Sequence, residues 1–370
     1  MLKAKISSWM ILADSFLSTQ VVTKRIAVLL LCVFSFIAVS CSKNEERTEA
    51  LLQGLTMGTS YSVKVINAGA KTGDLKQGVN ELLNEINSSM STYLADSELS
   101  RINQNKTTDW IVVSRELMRV LQLANKVSRQ SKGAFDVTVG PIVNLWGFGP
   151  DKKILEEPDE DRINSLMDRV GYKKLILDDN ASRIKKIEPT LYVDLSGIAK
   201  GFAVDKLAEY LEENGVTDYL VEVGGEIRVK GRNKDNKLWR LAIEKPAIDQ
   251  RAVHQVVELT DQAIATSGDY RNYFESEGRR YSHTINPVSG RPITNRVASV
   301  SVITSSAAYS DAMATAFMVL GAENGIELAD RLKLKVLFLV KRDEGFEEVR
   351  SLAFASIKRE KVSSDERISD

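Results

Sequence analysis

Cysteine is nearly absent. The 370-residue chain holds two, Cys32 and Cys41, so a protein maturing at Cys41 keeps no free thiol. Thiol catalysis, disulfides and cysteine–metal sites are thereby excluded. Net charge is absent as well: 50 basic residues face 50 acidic ones, and from Cys41 onward the balance is 46 to 49. Such a chain has no electrostatic footprint for nucleic acid. It contains no G-x-G-x-x-G and no G-K-[ST], which removes the usual Rossmann and P-loop signals and with them a nucleotide dehydrogenase. No repeat of 20–50 residues is present. The one long apolar run, Ile26–Val39, is too short for a membrane span.

That run is preceded by Lys24-Arg25 and followed by Ser40-Cys41, the layout of a secretory leader. Ala38-Val39-Ser40-Cys41 resembles a bacterial lipobox, whose cysteine is lipidated; a plain signal peptide cut nearby is the other reading. The long stretch before Lys24 leaves Met10 as an alternative start. The expected organisation is a lipoprotein signal peptide over 1–40, a polar tether over 41–50, a catalytic domain over 51–355 and a charged tail over 356–370. The lipid would tether the chain to a membrane of the bacterial cell envelope, on the periplasm-facing side.

The richest stretch is Leu191–Lys206. Leu191–Leu195 reads as a strand, Ser196-Gly197 as a turn, and Ile198, Phe202, Leu207 and Leu211 fall near one face of a helix that stops at Asn214-Gly215. A strand–turn–helix junction collects unpaired N–H groups at the positive end of a helix dipole, which suits a phosphate. Asp194 and Lys200 flank this point. An ordinary strand-to-helix turn with a surface lysine has the same pattern.

Around it the chain alternates between helices and hairpin-like strand pairs. Met57-Gly58-Thr59 opens an alternating strand. Leu75–Asn87 and Ser114–Ser131 read as amphipathic helices, with Ser97 as a helix cap between them. Gly133–Gly149 is rich in glycine and aromatics, suited to wrapping an apolar ring system or to a packed turn. Lys174–Ile187 reads as a hairpin. Gly224-Gly225, inside a strand pattern, suggests a bulge or a close ligand approach. His283 follows a hydroxyl-rich strand and reads as a structural histidine or a general base. Asp311 and Thr315, at i and i+4, share a helix face and offer hard oxygen ligands of the kind Mg²⁺ takes; an N-terminal helix acid with a back-bonded threonine reads equally well. Irregular alternation of strands and helices predicts an α+β fold, with antiparallel or mixed sheet and packed helices in one catalytic unit.

In their order, Met57-Gly-Thr, Ser91-Thr-Tyr93, Gly133-Ala-Phe-Asp136, Asp194-Leu-Ser-Gly-Ile-Ala-Lys200-Gly, Gly224-Gly-Glu226, Ala265-Thr-Ser-Gly-Asp269, Ser282-His-Thr-Ile285 and Asp311-x3-Thr315 resemble the FAD:protein FMN transferases, the ApbE family. The resemblance covers roughly residues 50–340 and implies a T-fold-related architecture. It implies flavin contacts at Met57, Tyr93, Ala134, Phe135, Asp136, Asp194, Lys200 and Ile285. It also implies Mg²⁺ at Gly197, Asp311 and Thr315, with Gly197 offering only its carbonyl, and a catalytic pair of Asp311 and the general base His283. The implied reaction moves FMN from FAD to a Ser or Thr hydroxyl of an exported acceptor flavoprotein of an electron-transport complex, and releases AMP. An FAD pyrophosphatase and a non-catalytic flavin-binding lipoprotein are the alternatives.

Overall fold

The computed structural model describes residues 46–149, 157–246, 252–269, 273–276 and 279–357. The leader, Cys41 and the charged tail from 358 onward lie outside them. Eight strands build the central sheet: β1 (Glu49–Thr56), β2 (Thr59–Ile66), β3 (Tyr219–Val223), β4 (Glu226–Lys230), β5 (Gln262–Gly268), β6 (Val297–Thr304), β7 (Lys335–Lys341) and β8 (Phe346–Arg350). Their spatial order is their chain order, and every pairing is antiparallel. The sheet starts at Glu49, so the last two residues of the stretch read as a tether are strand.

Four long helices matter for the site: α1 (Thr72–Met90), α2 (Arg115–Gln130), α3 (Ala199–Glu213) and α4 (Ala307–Arg331). They cover one face of the sheet, and the period-two alternation of the strands decides what they meet. On β7, Val336, Phe338 and Val340 join the helix-side core. Leu337 and Leu339 point to the opposite layer, with Trp239, Leu241 and Val257 of a separate hairpin and Phe354. A third cluster gathers Ile142, Trp146, Ile163 and Ile285.

Two departures from the sequence reading lie near the site. Leu191–Leu195 is extended but belongs to no sheet. Its backbone is satisfied by a side chain: Asn103 Nδ2 donates to the Val193 carbonyl at 2.8 Å, and the Val193 N–H donates to Asn103 Oδ1 at 2.8 Å. The Asp194 N–H goes to the Val137 carbonyl at 2.7 Å. Gly224-Gly225 is not a bulge. It is a two-residue hairpin turn, with Val223 opposite Glu226 and both glycines at positive φ, 59° and 100°. The helix that carries Asp311 breaks at Gly321, where φ is 76° and ψ 173°, and a second helical stretch runs on from there to Arg331.

At the outer surface of α3, Glu209 receives hydrogen bonds from Arg119 at 2.8 Å and Lys206 at 3.0 Å. Burial alone would raise its carboxyl, but these cations outweigh burial and bring it down to about 2 from an ordinary 4.5. A depressed folded-state pKa stabilises the fold above the ordinary value and loses that effect as pH falls toward the lowered one. The thermal midpoint of Glu209→Gln is therefore expected below that of the parent at pH 7, with the gap closing between pH 4.5 and 2. A gap constant over that range would show that Glu209 does not act through its charge.

Candidate active site

The site is built where α3 begins and α4 passes beside it. The two helices approach closely because of Gly201: a Cβ there would sit 2.4 Å from the Ala307 carbonyl oxygen. Asp205, one turn further along α3, caps α4. Its carboxylate accepts the Ala307 and Ala308 N–H groups at 2.9 and 3.0 Å and the Ser306 hydroxyl at 2.6 Å, and it pairs with Arg228 at 3.0 Å. These contacts fix the rotation and height of α4, and so place Asp311 and Thr315.

Asp311 is buried and turned toward α3, where its Oδ2 accepts the Gly201 N–H at 3.1 Å. Burial pushes its carboxyl above the usual range, opposed by the Lys200 charge and that N–H. One turn on, Thr315 Oγ1 lies 3.4 Å from the Ser267 hydroxyl at the end of β5. Gly197 completes the group. A Cβ built on it would come within 3.3 Å of Thr315 Oγ1 and 3.2 Å of the Phe135 ring, so any side chain at 197 would crowd this corner. Gly197 and Thr315 thus meet, with Asp311 one turn back on α4, held to α3 at Gly201.

Their chemistry suits a hard cation. Among the described residues no cluster of three or more His, Cys, Asp or Glu could hold a metal. The corner carries instead the Asp311 carboxylate and the Thr315 and Ser267 hydroxyls, beside the Gly197 backbone, all of them sources of oxygen donors. So few protein ligands fit Mg²⁺, which keeps part of its shell for water and substrate phosphates.

The flavin-contact candidates surround this corner. Asp194 folds onto its own turn, accepting the Ser196 N–H at 2.9 Å; burial raises its carboxyl. Its charge is felt by Tyr93, whose phenol is raised by burial first and by Asp194 second, although the ring remains 69% exposed. Ala134 and Phe135 are buried. Asp136 holds the loop's shape: Oδ1 accepts the Thr138 N–H and hydroxyl at 2.8 and 2.6 Å, and Oδ2 the Tyr172 N–H at 2.7 Å. Met57 sits at φ 50° in the β1–β2 turn, which neighbours the β3–β4 turn through the Gly224 N–H to Ser60 carbonyl bond of 3.1 Å. Lys200 reaches from α3 to Glu226 at 2.7 Å.

His283 and Ile285 belong to the third apolar cluster and its rim. Ile285 packs with Ile142 and Trp146, and the His283 ring meets Phe148 edge-on at 6.3 Å. Trp146 Nε1 donates to the Gly290 carbonyl at 2.9 Å, which ties the 283–292 segment to the glycine- and aromatic-rich stretch.

Sequence reading gave no role to Asp205 or Glu226. Both are buried acids in otherwise apolar surroundings, and Asp205 falls on the apolar stripe between Phe202 and Leu207. A charge on a buried stripe was the available signal.

A sequence model of the ApbE family matches residues 57–338. The FAD:protein FMN transferase of Vibrio cholerae is 47% identical over 318 residues, 85% of this chain and 93% of the relative. That of Haemophilus influenzae is 41% identical over 328 residues, 86% and 95% of the two chains. The solved flavin transferase ApbE of Vibrio cholerae superposes with a TM-score of 0.79 at 44% identity, covering 84% of this chain and all of its own. The motifs that meet at the α3–α4 corner fall inside the matched span, and the chain belongs to the ApbE family of enzymes.

Proposed function

We propose that this enzyme transfers the FMN half of FAD to a Ser or Thr hydroxyl of an acceptor flavoprotein, forming a phosphoester and releasing AMP. The observation that carries this reading is the convergence of Asp311, Thr315 and Gly197 at the start of α3, beside Lys200. Asp311, Thr315 and the Gly197 carbonyl would hold Mg²⁺. The ion supplies charge neutralisation of the pyrophosphate.

The protein's own groups do the rest. The Lys200 ammonium, at the positive end of the α3 dipole, binds and orients the diphosphate. Met57, Tyr93, Ala134, Phe135, Asp136 and Asp194 shape the flavin-side wall, with Ile285 beside the base. An imidazole nitrogen of His283 accepts the proton of the acceptor hydroxyl, whose oxygen attacks the FMN phosphorus. The bond from that phosphorus to the bridging oxygen breaks, and the oxygen leaves with AMP. The lipobox-like Cys41 would hold the enzyme on the periplasm-facing side of a membrane, near exported acceptors of electron-transport complexes.

The test uses the soluble chain starting after Cys41, FAD, Mg²⁺ and an acceptor domain with an exposed threonine, read by intact mass. The expected result is a mass gain equal to FMN that disappears when Mg²⁺ is removed. Release of FMN and AMP without a mass gain on any acceptor tried would replace the transferase with a pyrophosphatase.

A further inference from the structure

Lys200 is held from two sides. Its ammonium lies 2.7 Å from Glu226 Oε2, and the Glu226 side chain is only 3% exposed against 31% for the lysine. Its stem crosses the β3–β4 turn at Gly224, where a Cβ would come within 3.1 Å of Lys200 Cδ and 2.8 Å of Thr59 Cγ2. The turn is braced by Glu222, whose Oε1 accepts the Gly225 N–H at 2.7 Å. Gly224 is at φ 59°, so this position favours glycine for its backbone and for the lysine passing over it.

A lysine side chain is a point charge on a flexible stem and does not by itself hold one position. Here the bare turn leaves a channel for the stem, and a buried carboxylate ends that channel. Burying an unpaired carboxylate is costly, so Glu226 gains most when the ammonium stays on it. Burial lowers the lysine, yet the Asp311 and Glu226 charges outweigh burial and hold it above the ordinary lysine range, while burial first and the Asp311 charge second push the Glu226 carboxyl up to about 8. The ammonium is thus kept charged as well as kept in place.

We propose that Glu226, on the Gly224-Gly225 turn, is a positioning residue that fixes the Lys200 ammonium for the diphosphate of FAD. This rests on the reading that Lys200 contacts that diphosphate. Glu226 itself touches no reacting atom. Its removal releases the lysine from one fixed position but leaves the ammonium itself available to FAD, so the rate falls without weaker FAD binding.

The experiment measures kcat for FMN transfer to the acceptor and the FAD dissociation constant at saturating Mg²⁺, for Lys200→Met, Glu226→Gln and the double variant. Glu226→Gln is expected to lower kcat by about 10- to 100-fold, the range for a misplaced positioning group, with FAD binding unchanged or tighter. The double variant is expected to match Lys200→Met alone, and Glu226→Asp to recover part of the rate. If Lys200→Met leaves both kcat and FAD binding at parent values, the lysine–diphosphate reading fails. If Lys200→Met is slow but Glu226→Gln is not, the positioning role alone is overturned. Additive losses, or weaker FAD binding with a lower melting temperature in Glu226→Gln, would make Glu226 a structural residue and overturn it too.

Discussion

Replacing Asp311 with asparagine is expected to slow FMN transfer by about 10²–10³-fold, the loss seen when one preorganised electrostatic group is removed from an active site. Asparagine keeps the size of the side chain and an oxygen for the Gly201 N–H, which Asp311 Oδ2 accepts at 3.1 Å. It removes the one carboxylate at the Gly197–Thr315 corner. The fold should survive, since the only change is a charge inside a closed pocket that burial already disfavours. Binding of Mn²⁺ as a spectroscopic probe should weaken in parallel, whether or not acceptor is present. Unchanged turnover in Mg²⁺ would remove Asp311 from the metal site.

The largest stability effect is expected at Asp205. Asp205→Ala strands two N–H groups at the α4 start, the Ser306 hydroxyl and one hand of Arg228. Removing one partner from a buried ion pair costs about 3–5 kcal/mol, and unsatisfied helix donors add to that. Urea unfolding should show the loss as a lower midpoint with an unchanged slope. A cost under about 1 kcal/mol, the worth of an exposed ion pair, would mean that water replaces the carboxylate and that α4 is held by packing alone. Asp205→Asn should fall between, since its amide retains one acceptor oxygen.

The helices that carry the site were legible because their signals are local. The spacing from Ile198 predicted α3, observed as Ala199–Glu213, and Ser97 and Ser114 both cap the helices that follow them. The i, i+4 relation of Asp311 and Thr315 needed no tertiary information. What was illegible depends on distant partners. Leu191–Leu195 alternates like a strand, but a side-chain amide 90 residues away supplies both hydrogen bonds of its central residue Val193, and apolar alternation cannot distinguish that from a neighbouring strand. Gly224-Gly225 reads as a bulge or a close ligand approach until the register is known, and the register, with Val223 opposite Glu226, makes it a turn. Asp205 and Glu226 were given no role because their partners, the α4 N–H groups and Lys200, come from other elements. Asp311, Thr315 and Gly197 were marked in the sequence, yet only the missing Cβ of Gly201 shows why α3 and α4 can lie so close together.

The contact between Gly201 and Asp311 spans 110 positions of sequence, and this has a consequence for biosynthesis. The strands of the sheet follow one another in chain order, so a growing chain can zip β1 through β5 as it emerges. The α3 turn is then complete, but its contact with Asp311 waits until α4 has been made and packed. Contacts of such separation form late, and a ligand that needs both sides can stabilise only the finished protein. A chain released before α4 would therefore carry most of the sheet and lack the Gly201–Asp311 contact.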